Sequence, residues 1–306
     1  MKISAIICTH NGQKVLEKAI QSLIDQTLDK KDYEILVVDN ASTDSTCEIV
    51  RQYEDQENLR YIFEPNLGLS NARNTGWKEA VGEFVAYLDD DAIACPEWLE
   101  RILHAFRTVT EAGAVGGRTN PIWEAPRPLW LPDNMLESLS IINWSDVPIF
   151  LNDQQWLVGA NISLPKKLLK EIGGFSSELG RKGNCLLSNE ENLLIRKIRE
   201  KGLKIFYHPQ ILVHHLVPAN RLKKGWFIRR YFWQGISDAI FNYGSKALTI
   251  KEKLFIIKSQ FHHFIKKPEL IFCLLKPSDD KKVWDEKKVS YYRLGYIRGI
   301  FYLKSK

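Results

Sequence analysis

Three consecutive carboxylates, Asp89, Asp90 and Asp91, close the apolar run at 84–88 and precede Ala92-Ile93-Ala94-Cys95-Pro96. Adjacent like charges repel, so a fold that gathers them at a strand end has to neutralise them. A divalent cation taking oxygen ligands, itself bridging a diphosphate, would do so. A solvated acidic turn is the alternative, and the triplet alone does not separate the two.

The elements around the triplet favour a site. The first hundred residues alternate between short apolar strands and helices with apolar positions at helical spacing. Strands are expected at 4–8, 33–38, 59–63 and 84–88. Helices are expected from Val15 to Ile24, from the caps at 42–46 to about Tyr53, and after Ser70. Strands joined by helices imply right-handed crossovers and a mostly parallel sheet flanked by helices, an α/β fold. Ligands of such sheets bind at the carboxyl ends of the strands. Three polar clusters fall there: Thr9 with Asn11, Asp39 with Asn40, and Asp89–Asp91.

Beyond residue 116 the pattern changes. Residues 117–155 are rich in Trp and Pro and read as a covering loop or an acceptor-side wall. A strand is expected at 159–164, a short helix at 166–172 ended by Gly173-Gly174-Phe175, and an amphipathic helix opened by Ser188-Asn189-Glu190-Glu191. Strands at 205–207 and 211–213 follow, the latter ending in His214-His215. The expected organisation is a catalytic domain over 1–235, with a nucleotide-binding half (1–116) and an acceptor half (117–235). A helical extension is expected over 236–306.

Charge divides along the same line. Residues 1–244 carry a net −3 and residues 245–306 a net +9. Lysines interleaved with Phe and Ile in the basic stretch fit helices on an anionic membrane interface. No recognisable nucleic-acid module accompanies them. The alternative is the solvated face of an ordinary helical appendage. The N-terminus shows no signal peptide, and no apolar run approaches the roughly 18–20 residues of a spanning helix. Five cysteines (Cys8, Cys47, Cys95, Cys185, Cys273) lack CxxC spacing, which argues against a disulfide framework or zinc site. A cytoplasmic protein, peripheral on the inner face of the cell membrane, is the expectation.

In this order the motifs resemble those of the family 2 glycosyltransferases with the GT-A fold, over about residues 3–235. They are Thr9-His10-Asn11, Val37 through Asp44, Asn66 through Gly76, Leu88 through Asp91, and Gly173-Gly174-Phe175 preceding Asn189-Glu190-Glu191. The resemblance implies an inverting, metal-dependent transfer from a nucleotide-diphosphate sugar, most readily a UDP-sugar, to a glycan or lipid-linked acceptor in surface polysaccharide synthesis. It implies Mn2+ or Mg2+ held by Asp91 and Asp89, the run of three Asp permitting either a DxD or a DD reading, with His215 or His214 completing the shell. Thr9, Asn11 and Asp39 would hold the nucleoside, while Asp90 and Asp89 lie toward the ribose and the metal's water. Arg73 would meet the diphosphate or the base, Arg221 the diphosphate, and Asn161 the donor sugar or the acceptor. The base that takes the acceptor's proton falls on Glu190-Glu191, where Glu191 occupies the position usually held by Asp. A nucleotidyltransferase and a non-catalytic sugar-binding protein remain alternatives. The glycine-rich phosphate loop of the first is missing after strand one, and the intact carboxylates speak against the second.

Overall fold

The computed structural model describes residues 1–275 and 281–303, without the side chains of Phe272, Cys273, Leu275 and Lys281. Cys273 as a thiol, and residues 276–280 and 304–306 of the basic stretch, lie outside the described residues. The chain forms two compact units.

The first unit comprises Met1–Glu124, Asp133–Ser177 and Glu190–Val217. It opens as β1 (Ile3–Thr9), α1 (Leu16–Ile24), β2 (Tyr33–Asp39), α2 (Thr46–Arg51), β3 (Leu59–Phe63), α3 (Leu69–Glu79) and β4 (Phe84–Asp89). β5 (Ala92–Ala94), α4 (Trp98–Thr108), β6 (Ala112–Trp123), β7 (Ile149–Phe150), β8 (Ile162–Pro165), α5 (Lys166–Ile172), α6 (Glu190–Glu200) and β9 (Lys204–Val217) follow. One sheet runs β3-β2-β1-β4-β8-β6-β9-β5, with β7 on β9. Its first four strands are parallel, so β1, β2 and β4 all deliver their carboxyl ends to one edge. β8 then runs antiparallel to both β4 and β6.

Strand alternation distributes β1 between two cores. Ile3, Ala5 and Ile7 join α1 and α4 on one face, while Ile6 joins α3, α5 and α6 on the other. Leu16, Ala19, Ile20 and Leu23 recur on one side of α1 and are fully buried. On the other face Gly76 lets α3 lie close to β1, since a Cβ there would stand 2.7 Å from an Ile6 methyl.

Three local expectations need correction. Residues 159–161, expected to begin a strand, form a 3₁₀ turn before β8. Residues 205–207 and 211–213, expected as separate strands, belong to the single strand β9. The Pro209-Gln210 pair that reads as a break is absorbed by a register shift against Gly117 and Thr119 of β6. The stretch expected as a loop over 117–155 also holds the end of β6, a 3₁₀ segment Asp133–Leu139, and β7.

The second unit comprises Ala125–Pro132, Glu178–Asn189 and Pro218–Lys306. It contains α7 (Lys224–Tyr243), α8 (Ile250–Lys266), α9 (Glu269–Leu275) and α10 (Lys281–Tyr302). The boundary expected at 235 therefore falls inside α7, whose Gly235 lies against the α10 backbone at Tyr292 and Tyr296. Glycines permit this approach: a Cβ on Gly295 would strike the backbone of Phe232, and one on Gly299 would meet Ile236 and Ala239. Asp238 anchors the same pair of helices by accepting hydrogen bonds from Gln234 and Asn189 at 2.7 Å and from Tyr292 at 2.6 Å.

Candidate active site

The carboxyl ends of β1, β2 and β4 stand side by side, with Thr9 in register with Asp39 and Cys8 with Asp89. The chain turns at Asp90-Asp91 between β4 and β5, and the turn separates the triplet by parity. Asp90 looks back to β1, where its Oδ2 accepts a hydrogen bond from Thr9 Oγ1 at 2.7 Å. Gly12 keeps this contact open, because a Cβ there would collide with Thr9 Oγ1.

Asp89 and Asp91 face the other way, toward β9. The Asp91 carbonyl accepts from the Leu216 amide at 2.8 Å, which fixes the turn beside His215. Nε2 of His215 lies 3.2 Å from Asp91 Oδ1 and 4.0 Å from Asp89 Oδ2. Asp89, Asp91 and His215 each offer one ligand atom within 4.8 Å of the others. Two carboxylate oxygens and one imidazole nitrogen on three separate residues suit Mn2+ or Mg2+ with coordination positions left over, the nitrogen favouring Mn2+. Burial pushes the Asp89 carboxyl above its ordinary range, Arg73 opposes this, and the neighbouring Asp91 adds to it. His214, the alternative ligand, projects from the opposite face of β9 and is outside the cluster.

Behind the acidic turn sits Arg73, carried by α3 and only 2% exposed. Its Nη1 donates to Glu190 Oε1 and Glu191 Oε1, both at 3.0 Å, and its Nη2 lies 3.4 Å from Asp89 Oδ1. Burial would lower its pKa, but Glu191, Glu190 and Asp89 more than offset that, and the guanidinium stays charged. Expected on the diphosphate or base side of the ligand, Arg73 here directs its fork to carboxylates of the protein. Its Cζ also sits 5.3 Å from the centroid of the Phe175 ring. Phe175 is held by Asn74, one residue along α3. Asn74 Nδ2 donates to the Phe175 carbonyl at 2.8 Å, and Asn74 Oδ1 accepts from the Phe175 amide at 2.9 Å. The two glycines before Phe175 have φ of +79° and +64°, which makes this turn possible. Gly159 completes the arrangement, because a Cβ there would overlap both Arg73 and Glu191.

Glu190 and Glu191 form the first turn of α6. Glu190 is buried, while the side chain of Glu191 is 17% exposed. Burial first, then the charge of Glu191, push the Glu190 carboxyl up to about 8 against the pull of Arg73. Folded Glu190 thus keeps its proton up to about pH 8, whereas the unfolded chain releases it near 4.5. The folded state binds more protons in that window, so Glu190's contribution to stability falls as pH rises through it. Glu190→Gln is expected to flatten the pH dependence of the melting temperature between about pH 5 and 9. A slope identical to that of the unaltered chain would exclude the shift.

The loops after β1 and β2 clasp one another. The Asn11 amide donates to Ser42 Oγ at 2.9 Å, and Asn11 Oδ1 accepts from the Thr43 amide at 2.8 Å. Asp39 is buried, accepting from the Ser42 amide at 2.9 Å and from Tyr61 Oη at 2.7 Å. Sequence reasoning missed Tyr61; its position on the strand beside β2 was the available signal. Asn161 needs correction: it is fully buried, accepts from Trp98 Nε1 at 2.9 Å, and donates to the carbonyls of Ile211 at 2.8 Å and Arg118 at 3.1 Å. Those bonds tie β6, β8 and β9 together and leave it no face toward a ligand. Arg221 belongs to the second unit, in the 3₁₀ turn Ala219–Leu222.

The sequence profile of glycosyl transferase family 2 matches residues 4–161. A glucosyl-dolichyl phosphate glucuronosyltransferase of Haloferax volcanii is 26% identical over 246 residues, covering 78% of this chain and 77% of that protein. A validoxylamine A glucosyltransferase of Streptomyces hygroscopicus subsp. limoneus is 28% identical over 203 residues, and there the match spans 44% of the relative. Among solved structures, the mannosyltransferase PcManGT from Pyrobaculum calidifontis, in complex with GDP-Man and Mn2+, superposes with a TM-score of 0.58 at 23% identity. That match covers 78% of this chain and 64% of that one. S. aureus TarS 1–349 in complex with UDP-GlcNAc gives a TM-score of 0.57 at 19% identity over 97% of this chain and 90% of that one. At such identities the likeness is one of fold, the mixed α/β architecture of GT-A glycosyltransferases. The chain belongs to glycosyl transferase family 2 and is a glycosyltransferase, which displaces the nucleotidyltransferase and non-catalytic alternatives.

Proposed function

We propose that this glycosyltransferase transfers a sugar with inversion from a nucleoside-diphosphate sugar, a UDP-sugar above others, to a glycan or lipid-linked acceptor of a surface polysaccharide or glycolipid. The observation that carries the reading is one connected arrangement: the Asp89, Asp91 and His215 cluster joined through Arg73 to Glu190 and Glu191. Leaving-group chemistry and acceptor chemistry need those two acidic groups on either side of the anomeric carbon.

Each residue then has a task. Asp39, at the end of β2, accepts from the nucleobase, and Thr9 holds Asp90 toward the ribose. Asp89, Asp91 and His215 hold Mn2+ or Mg2+, which when bound would offset the charge growing on the departing diphosphate. Glu191, the more exposed of its pair, takes the proton of the acceptor hydroxyl as that oxygen attacks. Arg73 acts behind them as a positioning residue. The dolichyl phosphate in the name of the Haloferax relative supports a lipid-linked acceptor, and the UDP-GlcNAc bound by TarS supports a uridine donor.

A donor panel tests the reading. The chain is incubated with nucleotide sugars and Mn2+, and released nucleoside diphosphate is measured. Turnover with one uridine donor is expected, falling at least about a hundredfold in EDTA and returning with Mn2+. Turnover indifferent to EDTA would remove the metal from the proposal, and no release from any donor would overturn it.

A further inference from the structure

The outer side of α8 carries a row of large apolar side chains that the second unit leaves in solvent. Ile250, Leu254, Phe261 and Ile265 are exposed by 68%, 60%, 44% and 71%. Their spacing of 4, 7 and 4 residues sets them on one stripe of the helix. Phe255 on the same helix and Ile271 on α9 are exposed as well.

Other positions of α8 are turned to the unit's core. Ile256 packs on the cluster built by α7 and α10, Phe264 is buried, and Ile257, in line with the stripe between Leu254 and Phe261, is half-buried against the same cluster. Lys253 Nζ donates to the Leu303 carbonyl at 2.6 Å, and Gln260 accepts from Arg293 at 3.0 Å. A capping box between Thr249 and Glu252 fixes the start of the helix. The stripe thus runs along an exposed flank of a docked, capped helix.

Single exposed apolar residues are ordinary on a protein surface, whereas a row of them on one helix marks an interaction surface. Its rim says with what. Lys251, Lys258, Lys266, Lys267 and His262 are all exposed, and the helix's one acid, Glu252, is engaged in the cap. No helix among the described residues is long and apolar enough to cross a membrane, and 17 residues measure about 26 Å. We infer that this face of α8 docks on the interfacial zone of a bilayer carrying anionic headgroups. The apolar stripe enters the acyl boundary, and the lysines extend sideways to the headgroups. A protein partner would need a concave acidic surface to match the same rim. The inference goes beyond the reaction proposed above and uses none of its residues, so its test stands apart from turnover.

The test is flotation of the full chain with vesicles of phosphatidylcholine alone or mixed with phosphatidylglycerol. Co-flotation with the anionic vesicles is expected, roughly tenfold or more above the neutral ones and declining as salt is raised. The double variant Leu254→Asp/Ile265→Asp is expected to lower vesicle binding at least about tenfold. Lys251→Glu/Lys258→Glu is expected to remove the preference for anionic vesicles. All four positions are exposed, and melting curves matching the unaltered chain establish that the variants fold. A chain that stays unbound with anionic vesicles overturns the inference, as does a Leu254→Asp/Ile265→Asp variant that floats like the unaltered chain. A concentration-dependent dimer in sedimentation equilibrium that the same variant dissolves, with no flotation, assigns the face to a second copy and overturns it too.

Discussion

Glu191→Gln is expected to lower kcat by about two to four orders of magnitude while donor affinity stays unchanged. The side chain keeps its size and can still accept from Arg73, so the packing around Gly159 is retained. What disappears is the capacity to take a proton from the acceptor hydroxyl. Glu190→Gln supplies the contrast. Its carboxyl is pushed up to about 8, so near neutral pH it is chiefly uncharged, and glutamine imitates that form. A modest loss is expected for Glu190→Gln at pH 7. Single-turnover measurements with saturating donor, beside donor titrations, separate chemistry from binding. A severe Glu190→Gln and a mild Glu191→Gln would exchange the two roles.

Arg73→Ala is expected to cost about 3–5 kcal/mol of stability, the usual consequence of removing one partner from a buried charge cluster. For a chain of this size that corresponds to a melting temperature lower by roughly 6–15 °C. The loss arises because Asp89 loses the guanidinium that opposes the effect of burial on its carboxylate, and Glu190 and Glu191 lose their shared donor. Protonation of Asp89 is the escape, so the deficit should shrink as the pH is lowered from neutral. Arg73→Lys restores the charge without the planar fork and cannot reach Glu190, Glu191 and Asp89 together. Partial recovery of stability with poor recovery of kcat is expected. An Arg73→Ala chain melting within about a degree of the unaltered one would show that the cluster is relaxed by other means.

Much of this arrangement was legible in the sequence, because its parts lie at strand exits. The alternation of strands and helices by itself places Thr9, Asp39 and Asp89 at one edge of the sheet. What the sequence left open was parity. Three successive aspartates permit either pairing, and the turn at Asp90-Asp91 decided that Asp89 and Asp91 share a side. The His214 and His215 alternative was open for the same reason, although buried Val213 and Val217 flank His215 at the two-residue period and could have pointed to it. Asn161 misled because a polar residue beside a strand looks exposed, and its three partners come from elements scattered along the chain. Arg73 was recognised as important for its position in α3, but two of its three carboxylate partners, Glu190 and Glu191, lie over a hundred residues away, a distance no local pattern spans.

The paired bonds between Asn74 and Phe175 have a kinetic meaning. A Gly-Gly turn with two left-handed residues is the kind of segment whose amide hydrogens exchange with solvent quickly, yet the Phe175 amide is donated to a side chain rooted in a core helix. Its exchange therefore has to await an opening that also releases Asn74 from the Phe175 carbonyl. The ring beneath Arg73 is thereby moored on the slow clock of the core helix that carries Asn74.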